Sequence, residues 1–497
     1  MNSNSNNTVQ AFWVGIGSFS SFGIALLSAA ILSRYFSKTE YGTYKQIIYV
    51  YNTLLLVFTA GLPRVFSYFL PRYSLAQGKE IVFKISKVLF FAGLAFSVFL
   101  FAFSGLIADV LKNPELSRGL KYFSPVPMLL LPTLGIEGIF STYKKTFYIA
   151  IYRVITRFLM LIFIVGPVIL FSRNYLAAIY GWVTVSVIIL IIAYFFKSMP
   201  FKGVEQEKSG LYFKEILKYS LPIVSATIAG TIYRAANQFY ISRYYGAEVF
   251  AEFSNGFIEI PFVHMITGST SAVLMPVFSK IVHEKSDISQ ITNLWRSALQ
   301  KSAVLIYPMV IYFMFYSEEL VTIVYSETYA ASAKYFSTAM VLNFFNIIIF
   351  APLLLSMGEA RFYAGLTYGL AITTWVVEYF VVIIFDTPLA IAISFVIIAI
   401  AGIAVSMGFS AKKLGVSFLS LFPVGRFMII ALHSFISLFL VNLLLKNIIP
   451  DIADIFFIAI SGVIYLGILL ITARLFKINY LEIIIPLFKR NKSGGKV

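Results

Sequence analysis

Long apolar runs and short polar connectors alternate along this whole chain. Fourteen stretches are apolar almost throughout: 11–33, 43–68, 88–108, 123–141, 154–171, 176–196, 218–241, 252–275, 302–317, 336–356, 366–385, 389–409, 427–445 and 455–473. About 20 such residues, wound as a helix, cross a hydrocarbon layer of about 30 Å. Only helices and closed barrels satisfy every backbone polar group there. The runs are continuous and lack the in–out alternation of barrel strands, so helices are expected. The pattern predicts an all-α integral membrane protein of about 14 transmembrane helices, with both termini on one side.

Composition agrees. Of 497 residues, 59% are hydrophobic and 12% charged, and the mean hydropathy is +0.87. A soluble domain carries about 25% charged residues. The net charge of +17 would suggest a nucleic-acid partner in a soluble protein. Here the placement of the basic residues gives another reading. The connectors on the side shared with the termini hold 27 Lys and Arg and the opposite connectors hold 10. That bias predicts cytoplasmic termini in a multi-pass protein of the cell (inner, or plasma) membrane, with membrane lipids and no nucleic acid as surroundings. Met1 to Gln10 lack a basic region and a small-residue cleavage site, so no cleaved signal peptide is expected.

The chain has no cysteine, and His264, His283 and His433 are too dispersed for a metal cluster. No Walker A motif, acidic loop cluster or long soluble loop is present, which disfavours an enzyme. No cofactor is expected.

The chain repeats itself. Ile31-Leu32-Ser33-Arg34-Tyr35-Phe36 returns as Tyr240-Ile241-Ser242-Arg243-Tyr244-Tyr245. Lys121-Tyr122-Phe123-Ser124 returns unchanged at 334–337, and Phe147-Tyr148 returns as Phe362-Tyr363. Three anchors in one order at nearly one offset indicate a unit of roughly 200 residues used twice. The longest hydrophilic connector, Lys197 to Lys218, falls at the seam. The expected organisation is an N-lobe at 1–200, a C-lobe at 201–411, and two extra helices with a cytoplasmic tail at 412–497. Each lobe has six spans, so the repeats are parallel, related by a pseudo-two-fold along the membrane normal. Two lobes already supply a central cleft, so a monomer is expected. The tail 479–489 reads as an interfacial segment.

Ionisable residues inside spans are costly in lipid and therefore informative. They are Arg64, Glu137, Arg234, Glu259, His264, Glu378 and His433, with Arg34, Arg243 and Asp386 at outer span ends. Spans 1, 2, 7 and 8 concentrate Arg34, Arg64, Arg234, Arg243, Asn237, Gln238, Glu259 and His264. Related by a two-fold, these spans would face one another across a cationic cleft. Arginine's planar fork matches phosphate oxygens and stays charged without water, so the cleft suits a lipid-linked phosphate or another large anion. Two placements fit Arg34 and Arg243, the cleft or the outer interface. Arg64 fits the cleft or the cytoplasmic interface. Glu259 fits a counter-ion of Arg234 or, with His264, a titratable coupling site. Glu378 fits pairing within its own half or H+ or Na+ coupling, and uncoupled transport is equally compatible.

These residues bring a resemblance into view. The span-1 exit at 32–44, Leu-Ser-Arg-Tyr-Phe-Ser-Lys-Thr-Glu-Tyr-Gly-Thr-Tyr, its echo at 241–253, and Gly61-Leu62-Pro63 in span 2 carry it. With the 6 + 6 + 2 pattern, the whole chain resembles the MOP superfamily (multidrug/oligosaccharidyl-lipid/polysaccharide exporters), specifically its Wzx-type polysaccharide-biosynthesis flippases. The resemblance implies transfer of an undecaprenyl-diphosphate-linked oligosaccharide to the outer leaflet by alternating access. It also implies diphosphate-holding roles for Arg34, Arg64 and Arg234, with Arg243 as the echo of Arg34, and polysaccharide polymerase or assembly proteins as partners. Two relatives are alternatives. The lipid II flippases share fourteen spans but cluster basic residues within span 1, where this chain has none before Arg34. The multidrug antiporters have an acidic site in the first helices, and spans 1 and 2 contain no acid inside.

Overall fold

The computed structural model describes residues 3–284, 287–448 and 453–480. All of their regular structure is helical. The chain forms two compact units, Met1–Ser254 with Ala371–Ile391, and Asn255–Leu370 with Ala392–Val497.

The first unit begins with α1 (Ser3–Tyr35) and α2 (Lys38–Thr59). The turn between them is set by Ser37, whose side chain accepts the Glu40 N–H while Glu40 bonds back to the Ser37 N–H. That reciprocal cap satisfies two otherwise orphaned donors and fixes where α2 starts. α2 stops at Ala60 and Gly61, both left-handed, and α3 (Leu62–Phe69) resumes at Pro63 with a bend of 46°. Glycine supplies the positive φ and proline cannot donate backward, so the break is written in Gly61-Leu62-Pro63.

A second Ser-Gln capping box opens α4 (Leu75–Val110). The fourth apolar stretch is then broken into α5 (Pro114–Phe123), α6 (Pro125–Leu130) and α7 (Ile136–Thr142) by Pro125, Pro132 and Gly135. α8 (Phe147–Leu170) and α9 (Tyr175–Ser198) follow. Buried Leu62, Val65, Phe66 and Phe69 of α3 pack on Ile81, Ile85 and Leu89 of α4 and on Ile139 of α7.

α10 (Phe213–Gly256) runs through a kink at Gly246, whose φ of 80° and ψ of −177° suit glycine alone. α2 lies against the kink. A Cβ on Gly42 would sit 1.8 Å from the Ala247 carbonyl oxygen, so the two backbones touch. Such close approach through small residues is how helices associate without a hydrophobic driving force.

The second unit holds α11 (Pro261–His283), α12 (Ile288–Phe315), α13 (Ser317–Tyr325), α14 (Ser332–Leu342) and α15 (Ala351–Ser356). α16 (Ala360–Phe385) and α17 (Pro388–Leu414) contribute to both units. After the short α18 (Phe418–Leu421), α19 (Val424–Ile448) and α20 (Asp454–Thr472) complete the second unit. Tyr312 of α12 donates to the Ile458 carbonyl at 2.6 Å, and Tyr465 of α20 donates to the Pro308 carbonyl at 3.2 Å. His433 bridges Thr472 at 2.8 Å and Tyr480 at 3.1 Å. Most of the tail segment 479–489 lies outside the described residues.

Among the described residues, eleven helices are long and apolar enough to cross a membrane, and the bent pair Lys38–Thr59 with Leu62–Arg72 makes twelve. The expected count of fourteen is not confirmed, and two of the stretches are not among these helices. Residues 218–241 lie within the long helix α10. Residues 336–356 are interrupted between α14 and α15.

The Gly42 contact predicts that Gly42→Val destabilises the protein, since overpacking costs about 1–3 kcal/mol. The melting temperature of the purified protein should fall. Gly166→Ala, where no atom lies within 4 Å of an added Cβ, should not lower it. An unchanged melting temperature for Gly42→Val would refute the contact.

Candidate functional site

Within the first unit, α2 and α3 lie antiparallel along α10. Lys38 Nζ pairs with Glu252 Oε1 at 2.6 Å, and Thr39 donates to Glu248 Oε1 at 2.6 Å. Further along, Gln46 Nε2 donates to Ser242 Oγ at 2.7 Å while Asn113 Nδ2 donates to Gln46 Oε1 at 2.5 Å. This buried amide pair is fully engaged, as burial demands. Tyr49 then donates to the Ala235 carbonyl at 3.1 Å. Past the bend, Arg64 Nη1 donates to Thr227 Oγ1 at 3.3 Å. The seam ends where Tyr68 stacks on Tyr219 at 3.7 Å, with the Arg72 guanidinium 3.6 Å from the Tyr68 ring. Spans 2 and 7, expected to face each other across an opening, are in contact along this seam.

The arginines fall into two sorts. Arg34 ends α1 and donates to the Ala30 carbonyl one turn back at 2.8 Å. Arg243 donates to the Val110 carbonyl at the end of α4, with its guanidinium 5.8 Å from the Tyr244 ring. Cations at helix C-termini are favourable because free carbonyls and the helix dipole meet them. Arg64 and Arg234 are different. Both are exposed, and among the described residues the Arg64 side chain bonds only a neutral hydroxyl. Arg234 makes no hydrogen bond or ion pair among the described residues. It stands seven residues beyond Thr227 on α10, hence on the same face about 10 Å along the axis.

The opposite flank of α10 is buried by α16. Trp375 Nε1 donates to the Ile232 carbonyl at 2.9 Å, and Tyr240 donates to the Trp375 carbonyl at 2.8 Å. Asn237 is buried there, and its Oδ1 accepts the Gln238 N–H at 2.7 Å. One turn beyond Trp375, Glu378 is 0% exposed and neither carboxyl oxygen has a hydrogen-bond partner among the described residues. It lies within electrostatic reach of Tyr49, Tyr233 and Tyr240. Burial without a partner is expensive for a carboxylate, which makes Glu378 a candidate functional position.

In the second unit, Glu259 Oε2 meets His264 Nε2 at 2.6 Å, and both side chains are exposed. No group of three or more metal-ligating side chains occurs among the described residues.

The helices also begin earlier than hydropathy suggests, which brings inside them cations that the topology count had assigned to connectors. Arg153 of α8 binds Glu137 of α7 through Nε at 2.8 Å and Nη2 at 2.5 Å, and reaches Ser18 of α1. Lys197 of α9 is buried with no acid, donating to the Pro132 carbonyl at 2.7 Å and to Ser86 at 3.0 Å. Lys45 of α2 and Arg157 of α8 line a cavity. The available signal was spacing: Arg153, Arg157, Met160 and Ile164 recur at intervals of three and four, a single helical face.

The comparisons with known proteins fit this arrangement. No curated protein matches the sequence. Among solved structures, the lipid II flippase MurJ in an inward closed conformation superposes with a TM-score of 0.67, at 16% identity, over 92% of this chain and 98% of that one. An inward-facing multidrug resistance MATE family transporter of the MOP superfamily superposes at 0.63, with 12% identity, over 79% and 94%. A MATE in complex with MaD3S superposes at 0.56, with 13% identity, over 82% and 95%. The fold is therefore that of the MurJ and MATE transporters. The family described as "Polysaccharide biosynthesis protein" matches residues 31–334, from the exit of α1 into α14. On that match the chain belongs to the polysaccharide biosynthesis protein family, built on the transporter fold of the MOP superfamily.

Proposed function

We propose that this protein is a flippase, and not an enzyme, that moves an undecaprenyl-diphosphate-linked oligosaccharide from the cytoplasmic to the outer leaflet of the cell membrane by alternating access of its two lobes. The observation that carries the reading is the pair of exposed guanidiniums, Arg64 and Arg234, on one face of the α3–α10 seam without a carboxylate to neutralise them. Arg234 stands about 10 Å along α10 from Thr227, the partner of Arg64, and two guanidinium forks near each other suit a diphosphate. Arg34 and Arg243, engaged with helix-end carbonyls, hold the helices that present them. The family supports a polysaccharide precursor as the cargo, and the fold supports transport. A second reading, a lipid II flippase, is favoured by the likeness to MurJ over 92% of the chain. It uses the same diphosphate chemistry, so the assay below carries both lipids.

In proteoliposomes, transfer of the undecaprenyl-diphosphate oligosaccharide should fall about 10- to 100-fold in Arg234→Ala and in Arg64→Ala. A charge-assisted hydrogen bond is worth about 1.5–3 kcal/mol and each 1.4 kcal/mol is tenfold. Arg→Lys should restore part of the rate, since a point charge replaces a fork. Full activity in Arg234→Ala would sink the assignment, and transfer of lipid II alone would select the second reading.

We further propose that Glu378 couples transport to a proton or sodium gradient. Glu378→Gln should leave basal transfer under no gradient near wild type and abolish the response to either gradient. A gradient response that survives the substitution would exclude this role.

The orientation is testable because the chain contains no cysteine. Glu205→Cys should be protected from an impermeant maleimide added outside cells, and Glu327→Cys should be labelled. The reverse pattern would invert the topology.

A further inference from the structure

The face of α2 turned away from α10 closes a second cationic site. Tyr41, Tyr44 and Lys45 of α2, with Arg157 and Met160 of α8 and Trp182 of α9, line a cavity of about 140 Å³ that α1 completes. A cavity holds one water in about 10–15 Å³, so there is room for a phosphate group and the start of a chain. The lining contains two cations and no carboxylate. Of the acids on neighbouring helices, Glu40 at the start of α2 is engaged by the Ser37 cap and Glu137 of α7 is bound twice by Arg153. Among the described residues Arg157 has only the Met160 sulfur, a weak acceptor, at 3.8 Å, and Lys45 Nζ stands 5.1 Å from the Tyr41 ring. Trp182 Nε1 donates to the Tyr44 hydroxyl at 3.0 Å, which leaves the hydroxyl proton free to donate in turn. Arg157 is exposed, so the cavity reaches the surface of the unit. Apart from Ser28, the remainder of the lining is aliphatic.

We propose that this cavity, between α1, α2, α8 and α9, is a binding site for the phosphate of an anionic amphiphile. Two like charges sharing a low-dielectric cavity repel strongly, and an anion between them converts that repulsion into two attractions. The ammonium, the guanidinium and the Tyr44 O–H supply donors, and the aliphatic walls suit an acyl or prenyl chain. The shared chemistry is a lipid phosphate. Its source is either an anionic phospholipid of the bilayer, entering sideways, or the polyprenyl diphosphate, a case that rests on the function proposed above. Lys45 and Arg157 stand within three residues of the starts of the stretches 43–68 and 154–171 and so count with the connector charges, whereas the helices begin well before them, at Lys38 and Phe147.

The test uses the full-length protein, stripped of lipid in a neutral detergent and titrated with phosphatidylglycerol, undecaprenyl diphosphate or phosphatidylcholine. Bound lipid is counted by native mass spectrometry. Wild type should retain an anionic lipid at least tenfold more tightly than the Lys45→Gln/Arg157→Gln double variant, and should not retain phosphatidylcholine comparably. The charge-preserving pair Lys45→Arg and Arg157→Lys should keep the lipid. The single variants Lys45→Gln and Arg157→Gln carry the comparison should the double variant not accumulate. Loss of a phosphatidylglycerol adduct assigns a bilayer phospholipid, and that result stands even if the flippase reading fails. Loss confined to one undecaprenyl diphosphate adduct assigns the transported lipid. Equal retention of every lipid by wild type and variants overturns the proposal.

Discussion

A cation within the thickness of a bilayer must meet an anion, a set of backbone dipoles, or an opening that admits solvent or ligand. This constraint sorts nearly every basic side chain inside the helices described above. Arg153 takes the first solution and meets Glu137, tying α1, α7 and α8 together. Lys197, Arg34 and Arg243 take the second. Lys197 does so at the broken fourth stretch, where the chain leaves the helix after Thr133 and the Pro132 carbonyl is open to it. Arg64, Arg234, Lys45 and Arg157 take neither, and these four lie at the surface or in a cavity. Structural cations and ligand-seeking cations thus separate by their partners.

Much of this fold is legible in the chain, for identifiable reasons. Continuous hydrophobicity gave the helices, because lipid leaves no other way to satisfy the backbone. The repeat anchors fall at definite places in the helices. Lys121–Ser124 closes α5 before a broken segment, and Lys334–Ser337 sits in α14 before another. Arg34 and Arg243 each stand just before the turn between successive helices, at Ser37 and at Gly246. Side-chain partnership was not legible in the same way. Glu137 and Arg153 lie on helices whose mutual rotation a hydropathy profile does not contain. The partnerless state of Glu378 depends on what α10 brings toward it. Helix ends were also shifted inward by reading charge as connector, which moved Lys45 and Arg157 out of the interior.

The two faces of α2 organise the first unit. One face carries Gly42, Gln46 and Tyr49 against α10, and its polar contacts are short and saturated. The other carries Tyr41, Tyr44 and Lys45 around the cavity. A single helix thus separates the arginine seam from a second cationic pocket. Any rotation of α2 about its own axis alters both at once.

The seam is also mechanically unequal along its length. At Gly42 and Ala247 backbone meets backbone, and the neighbouring ion pair and hydrogen bonds pin that end. At Tyr68 and Tyr219 the contact is ring on ring, which can slide or part without breaking a hydrogen bond. A rod fixed at one end and lightly held at the other works as a lever. The hydrogen bonds extend that hold as far as Tyr49, and the ten residues from there to Thr59, roughly 15 Å at 1.5 Å each, turn a swing of about 10° into roughly 3 Å at the far end. The bend at Gly61 then redirects that displacement into α3, where Arg64 rides on the moving arm.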